Sequence, residues 1–245
     1  MKCVVITGSA GGIGAALVEA FCAAGYKVVG VDVRSPRYGA AHTHVQIDLD
    51  RFPAYGDYRR QAMDRVRAEI GENGLAALIN NAAIQHIGAF ESLTVEDWSR
   101  TMNVNVMAPM LLIRDLLPEI SKVRGTVVNI ASIHAKLTKP EFSAYATSKS
   151  ALLGMTAALA VELGSRLQMM AICPAAIATP MLLEGFDGRP TEYDLLEQYH
   201  PSRSVGSPAD LARLTLKLVE TATPFHNGMI VNFDGGIASR LHDPA

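Results

Sequence analysis

Cysteine is scarce in this 245-residue chain: Cys3, Cys22 and Cys173 stand at unrelated spacings in apolar surroundings. That excludes a disulfide framework and matches no metal-ligand pattern, which leaves the three as small buried hydrophobes. An excess of positive charge is lacking as well. With 22 Lys+Arg against 24 Asp+Glu the formal charge is −2, so the chain carries no electrostatic footprint for a phosphate backbone and no nucleic-acid partner is expected. Long apolar runs are missing: stretches such as 157–161 fall far short of the roughly 20 residues that cross a bilayer, and no membrane partner is expected. Met1-Lys2 runs straight into Val4-Val5-Ile6 without a charged leader, an apolar region and a cleavage site, so a cytoplasmic location is expected. His42-x-His44 has period two, which at a strand start puts one histidine inward and one outward, and no metal is expected. Linkers of low complexity, charge blocks and internal repeats are also absent. One domain over residues 1–245 follows, long enough to bury roughly 70–75% of its unfolded surface without staples.

What is present is apolar and ordered. Hydrophobic residues make up 49%, arranged as short β-branched runs that alternate with longer helical patterns. Strands are expected at 3–7, 27–32, 44–48, 75–80, 126–131, 168–173 and 229–233, several of them continuous apolar runs suited to a sheet covered on both faces. Ile13, Leu17, Ala20, Phe21 and Ala24 recur at helical spacing before Gly25, and further helices are expected at 57–70, 102–120, 143–163 and 208–220. The fold class is therefore α/β: a doubly wound, mostly parallel, seven-stranded Rossmann-type sheet. The interval between Asp32 and Asp48, with Ser35-Pro36 and Gly39, is too short for a full crossover helix and predicts a loop or a single turn.

Thr7-Gly8-Ser9-Ala10-Gly11-Gly12-Ile13-Gly14 leaves the first strand and opens the first helix. In that context glycines let the backbone approach a pyrophosphate at a helix N-terminus. Asp32 ends the second strand, where a carboxylate accepts hydrogen bonds from the adenosine ribose hydroxyls. A 2′-phosphate there would meet a like charge at a cost on the order of several kcal/mol, so NAD is expected over NADP; Arg34 and Arg37 partly offset that repulsion. Tyr145 and Lys149 stand one helical turn apart on the same face. A phenol of pKa about 10 is a poor base at neutral pH, but an ammonium about 4 Å away at an effective dielectric near 20 stabilises the phenolate by roughly 4 kcal/mol. Such a pair can take a proton from an alcohol, and Ser132 at the end of a strand offers a third polar group.

The chain resembles the short-chain dehydrogenase/reductase family over essentially its whole length. The resemblance is carried by the glycine turn, Asp48 after the third strand, Asn80-Asn81-Ala82 after the fourth, and Asn105 seven residues beyond Trp98. Ser132, Tyr145 with Lys149, Pro174 with Thr179, and Asp234-Gly235-Gly236 complete it. It implies that Tyr145 is the general base, that Lys149 lowers its pKa and holds the nicotinamide ribose, that Ser132 orients the substrate oxygen and that Asn105 supports a proton relay to Lys149. It further implies cofactor contacts from Gly8, Ser9, Gly12, Ile13, Gly14 and Asp32, with Asp48 and Leu49 bordering the adenine, Asn81 lying along the cofactor, and Ile177 and Thr179 touching the nicotinamide side. Ala83 and Ala175 stand where the family usually has glycine, which alters local backbone without removing a reacting group.

The substrate cap implied at about 181–207 holds, within 181–201, Glu184, Asp187, Glu192, Asp194 and Glu197 against Arg189, a formal −4. Such a rim repels acyl carriers, coenzyme A esters and small acids, and a neutral secondary alcohol or its carbonyl is expected. His134 and Gln85 stand where the family's sugar dehydrogenase branch meets sugar hydroxyls. The alternatives are a ketoacyl or ketone reductase of the same family and a catalytically silent nucleotide-sensing module; an adenosyl-dependent methyltransferase has no use for Tyr145 and Lys149. Finally, the helices expected at 102–120 and 143–163 are apolar around more than one face. That surplus, with Leu112 and Leu153 chosen as members of it, implies a homo-oligomer, a tetramer in this family, with a second contact near the last strand.

Overall fold

The computed structural model describes residues 1–35 and 43–241. Its seven strands are β1 (Cys3–Thr7), β2 (Lys27–Asp32), β3 (Thr43–Gln46), β4 (Ala77–Asn80), β5 (Thr126–Ile130), β6 (Gln168–Pro174) and β7 (Met229–Phe233). They form one sheet in the order β3-β2-β1-β4-β5-β6-β7, every neighbouring pair parallel. The helices are α1 (Gly12–Ala23), α2 (Arg51–Ala54), α3 (Gly56–Ile70), α4 (Val95–Met102), α5 (Ala108–Asp115), α6 (Leu117–Lys122), α7 (Ser143–Leu163), α8 (Pro180–Gly185), α9 (Pro190–Tyr199) and α10 (Pro208–Glu220). Among the described residues no helix is long and apolar enough to cross a membrane.

Strand alternation builds two cores. On β1, Cys3 and Val5 join Met63 and Val66 of α3, Leu112 of α5 and Ala160 of α7 on one face. Val4 and Ile6 point the other way, onto Leu17 and Phe21 of α1 and Leu211 of α10. Leu17, Phe21 and Leu112 are fully buried, each stabilising by about 2–3 kcal/mol. Strand order reverses direction between β1 and β4, and in an open parallel sheet the crevice beyond that point takes the ligand.

Four expectations are revised. The third strand starts at Thr43 and stops at Gln46, and the fourth begins at Ala77, after Leu75 and Ala76 have donated to the distant carbonyls of Glu119 and Cys3. The single helix expected at 102–120 is broken into pieces: α4 ends at Met102, a π-helical turn covers Asn103–Met107, and α5 and α6 follow. Proline explains both breaks. Pro109 has no N–H to give the Asn105 carbonyl and Pro118 none for that of Arg114, so the ladder widens at the first and stops at the second. Leu112, expected on a surplus face, is 0% exposed in the core. The open apolar surface of α7 is instead Val161, 89% exposed, with Ala157 and Ala158 beside it. No helix starts at 33–35; Pro36, Arg37, Gly39 and His42 lie outside the described residues.

Candidate active site

The glycine turn is shaped by contacts that no side chain fits. Gly8 has φ +68° and donates to the Val31 carbonyl at 2.8 Å, a left-handed conformation that glycine adopts freely. A Cβ on Gly14 would lie 1.9 Å from the Gly8 carbonyl oxygen, and one on Gly12 would press on Thr179 and Pro180 at about 3.0 Å. The turn therefore meets the start of α8 directly. Gly11 caps α1 with no side-chain bond, which leaves first-turn amides for an anion. Ser9 is 3% exposed and its Oγ has no hydrogen-bond partner. An uncapped helix start, a buried orphan hydroxyl and a cradle closed to Cβ atoms fit a dinucleotide's phosphates and ribose.

Asp32, 6% exposed, accepts the Ala10 amide on one oxygen at 3.0 Å and the Arg34 amide on the other at 2.9 Å; Arg34 Nε stands 3.4 Å from the latter oxygen. The carboxylate thus joins β2 to the turn. Asn81 binds the two loops together, its amide nitrogen donating to the Thr7 carbonyl at 2.9 Å and to that of Gly8 at 3.3 Å. Thr7 Oγ1 accepts both the Asn81 and Ala82 amides at 3.0 Å. Asp48 accepts the Asp50 amide at 3.0 Å, while Leu49 is 7% exposed and packs in the core. Ile177 bridges Gly206 in parallel, and Thr179 caps α8 through the Leu182 amide at 3.3 Å.

Beyond β5, Ser132 has extended backbone and its Oγ accepts the His134 amide at 3.1 Å, so its proton is free to point elsewhere. Tyr145 stands in the first turn of α7. Burial pushes its phenol up from the ordinary value, while hydrogen bonding from Ser132 and Gln85 pulls it back. One turn on, Lys149 is 2% exposed and its Nζ lies 5.6 Å from the Tyr145 ring centre, donating to the Ile130 carbonyl at 2.8 Å. Burial pushes it down to about 8, against a small opposing influence of the Cys173 thiol. Desolvation thus weighs against charge on both members of the pair, while the hydrogen bonds of Ser132 and Gln85 favour the phenolate.

Asn105 is set in the π-helical turn, a geometry common at functional sites. Its amide clamps both backbone groups of Ile84, accepting at 2.9 Å and donating at 3.0 Å, and donates to Ser148 Oγ at 3.0 Å, which in turn donates to the Tyr145 carbonyl at 2.7 Å. These bonds tie the Gln85 loop to α7, the helix that carries Tyr145 and Lys149. The His134 ring stacks on Phe142 at 4.4 Å and meets the edge of Tyr145 at 5.8 Å, with Nδ1 3.1 Å from Thr138 Oγ1. Burial and Lys139 push its pKa down, which favours the neutral ring. Sequence reasoning gave no role to Thr7, Phe142 or Ser148. Only Phe142 carried a local signal, an aromatic three residues ahead of Tyr145 on the same helical face.

The family model described as short chain dehydrogenase matches residues 2–189. The chain is 34% identical over 189 residues to the probable galactose dehydrogenase GalD of Rhizobium meliloti strain 1021, covering 72% of each. Its fold is similar to ligand-free Thermoplasma acidophilum aldohexose dehydrogenase, with a TM-score of 0.91, 28% identity, 100% of this chain and 96% of that one covered. It is also similar to 4-hydroxyisoleucine dehydrogenase complexed with NADH, with a TM-score of 0.88, 26% identity and coverage of 98% and 100%.

Proposed function

Because the chain belongs to the short chain dehydrogenase family, we propose that it is an NAD-dependent oxidoreductase interconverting a neutral secondary alcohol, a sugar, polyol or cyclic alcohol, and its carbonyl. Tyr145 is the general base. The observation that carries this reading is a half-buried phenol beside Ser132 and Gln85, with Lys149 one turn away and the glycine cradle alongside.

Bound NAD supplies the hydride acceptor; the acid–base work belongs to the chain. Ser132, its lone pair engaged by the His134 amide, donates to the substrate oxygen and fixes it against Tyr145 Oη. The phenolate takes the hydroxyl proton in oxidation, and the phenol returns it in reduction. Lys149, anchored on Ile130, supplies the cation for the ribose. Asn105 acts one step back, holding the loop that presents Gln85. Gln85 and neutral His134 offer hydrogen bonds to further hydroxyls, and the acidic rim of the cap, −4 over 181–201, disfavours anionic substrates such as carrier-linked ketoacyl groups. Asp32 favours NAD over NADP, with Arg34 already paired to it. The exposed strip of Val161, Ala157 and Ala158 supports a homo-oligomer.

Tyr145→Phe keeps the ring and loses the proton, so turnover falls by several orders of magnitude on the best alcohol from an aldose, polyol and cyclic-alcohol panel, with little change in NADH binding. Activity within about tenfold of wild type refutes the assignment. Cofactor binding without turnover of any panel member would favour the nucleotide-sensing alternative.

A further inference from the structure

Between Ser132 and Tyr145 the chain folds back on itself so that three rings meet beside the reacting phenol. The His134 ring lies on Phe142 at 4.4 Å with the two planes 7° apart, and the Tyr145 ring stands across this pair, at 74° to the first and 77° to the second. Lys139 Nζ lies 4.7 Å from the centre of the Phe142 ring. Glu141, which delivers Phe142, has φ +72°, a left-handed backbone uncommon for a residue with a Cβ and held only where the surroundings fix it. Its carbonyl accepts the Gly88 amide at 3.1 Å, a bond that ties this segment to the loop carrying Gln85.

His134 is fixed from three directions. Its amide donates to Ser132 Oγ at 3.1 Å, its ring plane is set by Phe142, and its Nδ1 stands 3.1 Å from Thr138 Oγ1. Nε2 has no hydrogen-bond partner among the described residues and is not sealed from solvent. A ring packed for its apolar body alone has no need of a hydroxyl at one nitrogen and an open second nitrogen. The Thr138 hydroxyl both donates and accepts, so it satisfies Nδ1 in either tautomer, and Nε2 of the neutral ring presents a lone pair or an N–H as its partner requires. A substrate hydroxyl, itself donor and acceptor, matches both forms; a carboxylate or an ammonium matches only one. The His134 and Tyr145 ring centres are 5.8 Å apart, so a small molecule that gives its reacting oxygen to Tyr145 can give the hydroxyl of the next carbon to His134.

We infer that Phe142 and Thr138 are specificity-determining positioning residues, which together fix the His134 ring to take the hydroxyl next to the reacting carbon and so select vicinal diols over lone alcohols. The assignment rests on the alcohol oxidation proposed at Tyr145 and adds which alcohols are chosen and by which side chains.

The matched pair cis-1,2-cyclohexanediol and cyclohexanol, which differ by one vicinal hydroxyl, tests this on the intact protein with NAD. Wild type should favour the diol in kcat/KM by about tenfold, the discrimination of one well-placed hydrogen bond. Phe142→Leu keeps an apolar side chain without a flat face and should bring the ratio to about two or below, chiefly by raising KM for the diol; Phe142→Tyr should restore it. Thr138→Val, at an exposed position, should lower the ratio severalfold and takes the place of Phe142→Leu should that variant fail to fold. In a His134→Ala background neither substitution should change the ratio further. A purely structural role would lower both substrates together, so an unchanged ratio in folded Phe142→Leu or Thr138→Val overturns the inference, as does a wild type without preference for the diol. If neither alcohol is turned over although NADH binds, the dehydrogenase reading fails by itself. The same ratio, taken from dissociation constants by saturation-transfer NMR on the NADH complex, where the alcohols cannot be oxidised, then decides the inference on the same terms.

Discussion

At Lys149 the demands of stability and of the proposed chemistry pull apart. Burial pushes this ammonium from 10.5 down to about 8, and at about 1.36 kcal/mol per pH unit that depression makes its charged form about 3 kcal/mol less favourable in the folded protein than in the unfolded chain. Below about pH 8 both states hold the proton and the full penalty is carried. Between about pH 8 and 10.5 the unfolded chain still binds a proton that the folded protein has released, so stability rises with pH through that window. Lys149→Met removes the penalty and also the 2.8 Å bond to the Ile130 carbonyl, itself worth about 1.5–3 kcal/mol as a charge-assisted bond. At pH 7 the two nearly cancel, and the variant should lie within about 1–2 kcal/mol of wild type although a buried residue has been replaced. The pH dependence does not cancel. From pH 7 to pH 10 the wild type should gain about 2–3 kcal/mol on the Met variant, read by urea unfolding of both proteins without cofactor. A stability gap that stays constant across that range would show an ordinary lysine, and the reasoning from burial would fail.

The elements most visible in the sequence are those whose pattern is local. Glycines spaced through 8–14, apolar pairs of alternating direction in β1, and Tyr145 with Lys149 one turn apart all depend on neighbours within a few residues. What escaped depends on distant partners. The Asn105 clamp on Ile84 spans 21 residues and the Lys149 bond to Ile130 spans 19; neither spacing is periodic, so no window reads them. The π-helical turn was hidden because Val104, Val106 and Met107 continue a helical apolar pattern, whereas Pro109 acts four residues back through a hydrogen bond it cannot make. The face of α7 was ambiguous for the opposite reason: apolar residues surround it, so Val161 and Leu152 look alike in sequence, yet one is 89% exposed and the other 1%.

Gly14→Ala drives a methyl into the Gly8 carbonyl at 1.9 Å, backbone against backbone, and should cost about 2–3 kcal/mol or more in thermal unfolding; Gly56→Ala, whose methyl meets only Arg60 at 4.0 Å, should stay within about 0.5 kcal/mol, and equal effects would refute the steric argument. Asp32→Ala should narrow or reverse the preference for NADH over NADPH in fluorescence titrations as Arg34 is released from its 3.4 Å pairing; an unchanged ratio would place the discrimination elsewhere. The last expectation concerns assembly. Val161 is 89% exposed and in the core of nothing, so Val161→Glu takes no apolar contact from the single chain and should leave its melting curve, once monomeric, unaffected. In a two-fold contact the same position is presented by both subunits, so one substitution sets two carboxylates close together on an apolar strip and removes two valines from it. Light scattering should then show the wild type at a multiple of 26.2 kDa and the variant at a lower multiple at micromolar concentration. Leu112→Glu, by contrast, buries a charge in the core and should unfold the chain rather than separate subunits. A wild-type mass near 26.2 kDa, or a Val161→Glu protein of undiminished mass, would refute the placement of the interface on α7.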